Sequence, residues 1–348
     1  MTSMRHQSFS EPSSPESARH WVRILAQYRE PVTWRSIFEI GVSFGPFLAL
    51  WALAWWSLSF SYWLAFALSC LNGGFLVRMF IIQHDCGHGG YFKNRKVSDW
   101  VGRVLGVLTL TPYAVWQRSH ALHHGAAGNL DQRGIGDIHT MTVAEYQQLS
   151  AWGRFMYRLY RNPFVLFGLG PVYLYLFQNR LPVGLMKSGS KYWYSAMGTN
   201  LMIALSLSII AWFGGAAPIL LIFLPSIFVA ASAGMWMFYV QHQFEDTHWD
   251  KEEDWQLHDA ALHGSSHYVL PAALQWMTGN IGVHHVHHLY SRIPFYRLTE
   301  VLRDHKELAE AQRMTLMESF GCVRLNLWDE NLRKLVSFSE VRRRPATV

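Results

Sequence analysis

The chain has 348 residues, half of them hydrophobic, with 16 Trp, 15 Tyr and 21 Phe, and only 16% are charged, against roughly 25% in soluble domains. That balance argues against an ordinary soluble enzyme and directs the reading to a membrane protein. The formal charge of +6 suits a wetted face beside anionic lipid, and the basic residues are scattered and form no nucleic-acid module, so no nucleic-acid partner is expected.

Residues 1–18 are rich in Ser, Pro and Glu and have no apolar core, so they read as a disordered tail and not as a cleavable signal peptide. Between Phe38 and Ile81 the only charged residues are Glu39 and Arg78, and from Tyr192 to Phe244 there is none. A bilayer core of ~30 Å takes ~20 apolar residues at 1.5 Å each. Each stretch is therefore long enough for two crossings, with turns expected near Ser57–Tyr62 and Gly214–Pro218. Val101–Trp116 is too short to span, and Phe164–Met186 is interrupted by Arg180, Gly and Pro. Both read as interfacial or re-entrant segments, the alternative being a fifth and sixth crossing, with Trp152, Tyr157, Tyr160, Tyr173 and Tyr175 contributing to an aromatic belt. From Leu289 onward the sequence is charged and alternates apolar with polar residues, as a soluble helical cap would.

The expected fold is an all-α integral membrane protein of two helical hairpins, four spans in all, with a cytoplasmic helical cap holding a dimetal site. Its units are the tail 1–18, a membrane domain with its cap over 19–294, and a cytoplasmic helical extension over 295–348. The presumed outer turns carry no Lys or Arg. By contrast, Arg19, Arg23, Arg29, Arg35, Lys93, Arg95, Lys96, Arg103, Lys187 and Lys191 flank the other ends of the hairpins. The positive-inside rule then puts both termini and the region 83–191 in the cytoplasm. Cys70, Cys86 and Cys322 form no CxxC and no paired framework, so nothing asks for an oxidising compartment.

Ten of the 18 histidines fall in four tight groups: His84 and His88; His120, His123 and His124; His242; and His284, His285, His287 and His288. Residues three and four apart share a helix face, so His84 and His88 can aim at one point. In an HxxHH triplet the adjacent pair splays enough to serve two metals. Two crossings separate the first groups from His242, so all of them return to the same side of the membrane. Imidazole suits zinc, copper, iron and nickel alike. A catalytic zinc, however, uses three protein ligands and a structural one four, fewer than the set here. The HExxH motif and the Glu-x-x-His pair of soluble carboxylate bundles are both absent. Asp85, Asp131, Asp137, Glu245, Asp246 and Asn280 lie near the groups and are candidates to orient the rings. His6, His20, His139, His248, His258, His263, His267 and His305 are expected in surface or packing roles.

The three boxes HDCGH, HALHH and HHVHH resemble those of the membrane fatty-acid desaturase family. The phrases HDCGHGGYFKN, HHGAAGNLDQRGIGDI, LYRNPFVLFGLGPVYL and LPAALQWMTGNIGVHHVHHL resemble its bacterial acyl-lipid branch. The resemblance implies nine iron ligands: His84, His88, His120, His123, His124, His242, His284, His287 and His288, with His285 at a variable position. It further implies two Fe ions, ferrous in the reduced form, and dioxygen as co-substrate in placing a double bond in a fatty-acyl lipid. The chain carries no haem domain, no Rossmann glycine fingerprint and no iron–sulfur cysteine set. The implied electron donor is therefore external, a ferredoxin docking on a basic face, with Lys93, Arg95 and Arg103 as candidate contacts for it or, equally, for lipid head groups. The implied location is the bacterial plasma membrane, with the site on its cytoplasmic side. Other readings are a di-iron hydroxylase or ketolase of a hydrocarbon, carotenoid or sphingoid chain, and a membrane zinc hydrolase. A transporter or intramembrane haem protein would need ligands within the spans, and the spans contain none.

Overall fold

A computed structural model describes residues 15–134 and 136–343 of the chain. Most of the tail expected over 1–18, including His6, lies outside these residues; the first helix, α1, runs Pro15–Leu25. It is followed by α2 (Thr33–Ser57), α3 (Tyr62–His88), α4 (Arg95–Leu108) and α5 (Tyr113–Ala126). A short strand β1 (Met141–Thr142) leads into α6 (Val143–Gln148), α7 (Ala151–Tyr160) and α8 (Gly170–Leu176). The second hairpin is α9 (Ser190–Gly214) and α10 (Leu224–His242), the latter entered through a π-helical turn at Ile219–Phe223. The rest comprises α11 (Leu257–His263), β2 (His267–Val269), α12 (Ala272–Met277), α13 (His284–Leu289), α14 (Leu298–Asp304), α15 (Lys306–Glu310), β3 (Arg313–Thr315), α16 (Leu316–Ser319), β4 (Leu327–Asp329), β5 (Lys334–Val336) and α17 (Phe338–Arg343).

Among the described residues, four helices are long and apolar enough to cross a membrane: Thr33–Ser57, Tyr62–His88, Ser190–Gly214 and Ile219–His242. Their breaks fall where the sequence places the turns. The 25 residues of α2 reach about 37 Å at 1.5 Å per residue, enough for a ~30 Å hydrocarbon core. At the turn end of the spans Trp56, Phe60, Tyr62, Trp63, Trp212 and Phe213 are exposed, where amphipathic rings sit at a membrane–water boundary. The belt expected around α7 and α8 is only partly of this kind. Trp152 and Tyr173 are exposed, but Tyr157 is buried, its hydroxyl donating to the Asn326 carbonyl at 2.9 Å. The 101–116 region is split between α4 and α5, and the 164–186 region is a π turn, α8 and a 3₁₀ turn.

The central helix is α3, which packs against α2, α4 and α10. Ser61 caps its start by accepting from the Leu64 amide, and Gly89 at φ 71° ends it in the left-handed conformation that glycine tolerates. From Leu76 to Cys86 the helix is buried almost without interruption. By contrast, α9 buries only Ala196 and Thr199 and offers the rest of its surface outward.

The two charges of the first hairpin face each other in its interior. Arg78 pairs with Glu39, which also holds Arg35 at 2.7 Å. Arg78 Nε donates to Ser43 Oγ at 3.1 Å, its Nη1 donates to the Trp276 carbonyl, and its guanidinium lies 3.9 Å from the Trp276 ring centroid. Buried ions in apolar surroundings persist when paired and hydrogen-bonded. This pair also anchors α12 of the cap to the hairpin.

Two small sheets fasten the C-terminal extension to the loops that bear the histidine boxes. Strand β4 pairs parallel with β1 (Met141↔Leu327) and antiparallel with β5, and β3 pairs parallel with β2 (His267↔Arg313). One tie lies just after Asp137 and the other before His284.

Glu39→Leu leaves the Arg78 charge buried without its carboxylate and is expected to cost about 3–5 kcal/mol. A double-mutant cycle of detergent-solubilised melts, with Glu39→Leu, Arg78→Met and their combination, checks this. The combination should recover most of what each single change loses.

Candidate metal centre

The site is assembled from four helix ends. The last turn of α3 supplies His84 and His88, the second half of α5 supplies His120, His123 and His124, the end of α10 supplies His242, and α13 supplies His284, His287 and His288. The structure brings all nine together in two adjacent groups: His84, His88, His120, His124 and His287 in one, and His123, His242, His284 and His288 in the other. Within each group the nearest ring nitrogens lie within 4.8 Å of one another. Helical spacing decides the division. Each i, i+4 pair (84/88, 120/124 and 284/288) serves a single group, because four residues turn a helix by little more than a full circle. The adjacent pairs 123/124 and 287/288 are each split between the groups. The seam is the stack of His124 on His288, whose ring centroids are 4.0 Å apart.

The nitrogens face inward. His124 Nε2 lies 3.1 Å from both His120 Nε2 and His287 Nε2. In the other group His242 Nε2 lies 3.1 Å from His123 Nε2 and 3.0 Å from His284 Nε2. One imidazole nitrogen cannot satisfy two others in this way through its single proton or lone pair. His88 Nε2 and His288 Nε2 are buried with no hydrogen-bond partner among the described residues. A cation at the middle of each group accounts for all of these atoms. Ligands ~2.1 Å from a metal and at right angles are ~3.0 Å apart, whereas a tetrahedral arrangement would put them nearer ~3.4 Å. Donor set and spacing therefore fit a metal pair of higher coordination number.

The outer ring nitrogens are held by three distinct acceptors. Asp85 meets His84 Nδ1 at 3.1 Å and accepts from the Phe295 amide at 2.6 Å. Asp137 accepts from His123 Nδ1. The Gly264 carbonyl accepts from His242 Nδ1 at 3.1 Å. Such contacts fix tautomer and ring direction. Gly136, at φ 81°, lets the Asp137 loop pass close to α5: a Cβ there would meet the Ser119 carbonyl at 2.9 Å. Gly87 makes room for Trp116, which stacks on His120 at 4.7 Å, and Phe238 covers His123 at 5.0 Å. These rings shield the imidazoles from water.

The other sequence candidates lie elsewhere. Asp131 accepts from the Glu252 amide, Glu245 and Asp246 are exposed, and Asn280 donates to the Phe295 carbonyl. His285 is fully buried with Nε2 on the Leu308 carbonyl at 2.8 Å, outside both groups, and burial pushes its pKa down to about 3. His263 pairs with Asp259, His267 with the Ala309 carbonyl, and His248 with Asp250. Arg95, a candidate docking residue, donates to the Gly87 carbonyl and pairs with Asp99. The Gly264 carbonyl and Trp116 have no signature in the sequence, since one is backbone and the other one tryptophan among many.

Burial first, then neighbouring imidazoles, hold His120, His124, His284, His287 and His288 well below the ordinary histidine pKa. They are thus neutral and ready for a metal. In the metal-free protein the unfolded chain takes up these protons below ~6.5 while the folded one does not. Its stability is therefore constant above that pH and falls as pH drops, by up to ~1.4 kcal/mol per pH unit per histidine. Metal-stripped protein should melt lower at pH 5.5 than at 7.5, as read by a detergent thermal-shift series. Asp137→Asn should lower metal affinity 10–100-fold, while Glu245→Gln leaves it within a factor of two, as measured by chelator competition.

The family described as "Fatty acid desaturase" matches residues 61–320. A "Fatty acid desaturase" of Bacillus subtilis (strain 168) is 40% identical over 341 residues, 97% of this chain and 96% of that one. An "sn-1 acyl-lipid omega-3 desaturase (ferredoxin)" of Synechocystis sp. is 26% identical over 79% of this chain and 76% of its own. An "sn-1 oleoyl-lipid 12-desaturase" of the same organism is 25% identical over 76% and 73%. The match of the family over most of the chain, and 40% identity to the Bacillus subtilis relative across nearly the whole of both chains, place this protein in the fatty acid desaturase family: it is a membrane oxidoreductase that unsaturates fatty-acyl chains.

Proposed function

We propose that the chain is an acyl-lipid desaturase of a bacterial plasma membrane, working with two irons and an external ferredoxin. The nine histidines of the two groups are its iron ligands, five on one side and four on the other. The observation that carries this reading is that division, in which two adjacent histidine pairs are each shared between the groups. Five and four nitrogens exceed the three of a catalytic zinc. Bound there, two ferrous ions supply the reduction of dioxygen that the chemistry requires. One dioxygen, two donor electrons, two protons and the two hydrogens of neighbouring methylenes yield two waters and the double bond.

The chain's own part is positional. Asp85, Asp137 and the Gly264 carbonyl hold three rings in one tautomer and direction. Trp116 and Phe238 keep water from the imidazoles. The helix ends meet just beyond the spans, where an acyl chain descending between them can present one methylene pair. Lipid as the acyl carrier and ferredoxin as the donor are favoured by the names of the Synechocystis relatives. The basic residues flanking the histidine-bearing ends favour a cytoplasmic site.

The test is expression in a bacterial host, with total fatty acids analysed by gas chromatography–mass spectrometry after double-bond derivatisation. The parent should give a new unsaturated isomer, and His287→Ala should abolish it while reducing bound iron. His285→Gln, outside both groups, should keep two irons per chain. Zinc in place of iron in the purified protein, or a hydroxylated product dependent on His287, would overturn the reading.

A further inference from the structure

Away from the metal centre, a cavity of about 260 Å³ opens beside the end of α7, lined by Arg158, Arg161, Asn162, Asn326, Phe338 and Arg342 among others. Among the described residues, three arginines and no carboxylate face it. Arg161 is only 3% exposed, and a buried guanidinium is ordinarily matched by an anion. Among the described residues its partners are all neutral. It donates to the Leu325 carbonyl at 2.8 Å, Gln243 Oε1 at 3.0 Å, the Tyr239 hydroxyl at 3.2 Å and Thr140 Oγ1 at 3.3 Å. Its Nε is buried with no partner among the described residues. Arg158 donates to the Tyr146 hydroxyl at 2.6 Å and lies over the Phe338 ring, so it too has a neutral partner.

The surroundings indicate which anion this is. Arginine forks match the oxygens of phosphate. The cavity is somewhat smaller than the roughly 300–1,000 Å³ of sites for drug-sized ligands, a size suited to a headgroup. Beside it Phe155, Leu159 and Phe164 are exposed on and just after α7, the mix of basic and apolar side chains that seats a helix in the headgroup layer. We propose that this cavity binds a negatively charged phosphate group, presented by an anionic lipid headgroup or as a free phosphate. Because Arg161 also holds Gln243, the neighbour of His242, the arginines at the rim are the ones to change.

The experiment uses the full-length, metal-loaded protein in detergent. Native mass spectrometry follows titration with dioleoyl-phosphatidylglycerol and with dioleoyl-phosphatidylcholine, and calorimetry follows inorganic phosphate. The parent should bind phosphatidylglycerol saturably and at least ten-fold more tightly than phosphatidylcholine. Arg158→Gln/Arg342→Gln should weaken it at least ten-fold with metal content and melting temperature unchanged. Arg342→Gln alone, at an exposed position, serves if the double variant does not fold. Phosphate binding that is lost in the same variant identifies the free anion as a ligand; its absence beside tight phosphatidylglycerol binding identifies the lipid. Affinities for both probes that do not change in the variants overturn the proposal. If turnover with reduced ferredoxin also falls in them, the arginines form a protein-docking patch instead.

Discussion

Neutral imidazoles packed with their nitrogens 3.0–3.1 Å apart do not hold together by themselves. Burial keeps the rings uncharged, and inward-facing lone pairs have nothing to bind unless a cation sits between them. The rest of the molecule satisfies this requirement. Four helix ends must arrive at one place, at one depth and with their rings turned inward, although they are separated by up to about 200 residues of chain. The long apolar helices make that convergence possible, because an even number of crossings returns each box to the same side.

Polar ties stop the ends from drifting. The Glu39–Arg78 pair holds the first hairpin and reaches α12 through the Trp276 carbonyl. The two small sheets bind the C-terminal extension to the loops beside Asp137 and His284. Asp85 ties the two levels together, since its carboxylate meets His84 and also accepts from the Phe295 amide in the cap. A change in the packing of the cap is therefore felt at a ring nitrogen. Arg161 makes a comparable link on the other side, joining α7 to Gln243 at the end of α10 and to Leu325 of the extension.

Much of the architecture can be read from the residues alone. Two apolar stretches of double length, one charged only at Glu39 and Arg78 and the other not at all, specify two hairpins, because a bilayer fixes how many apolar residues one crossing consumes. The breaks at Ser57–Tyr62 and Gly214–Pro218 follow from that length and from the turn residues there. Eight of the nine histidines stand out because their spacing of three and four matches a helix face, whereas His242 stands alone at the end of the last long apolar stretch. Other features were less legible. Tyr157 looks like an interfacial aromatic but is a buried hydrogen-bond donor. Of the six polar neighbours nominated to orient rings, only Asp85 and Asp137 touch one, since nearness in sequence does not fix the direction of a loop side chain.

The sequence by itself determined the two hairpins and the return of the boxes to one common side, since both depend on local period and length, while the resemblance to a known family picked out the nine histidines. Only the tertiary structure decided which histidine joins which group, that His285 turns away to the Leu308 carbonyl, and that a backbone oxygen at Gly264 holds His242. Those outcomes depend on the rotation of one helix against another and on the path of loops between them. Such long-range packing leaves no periodic trace in the chain.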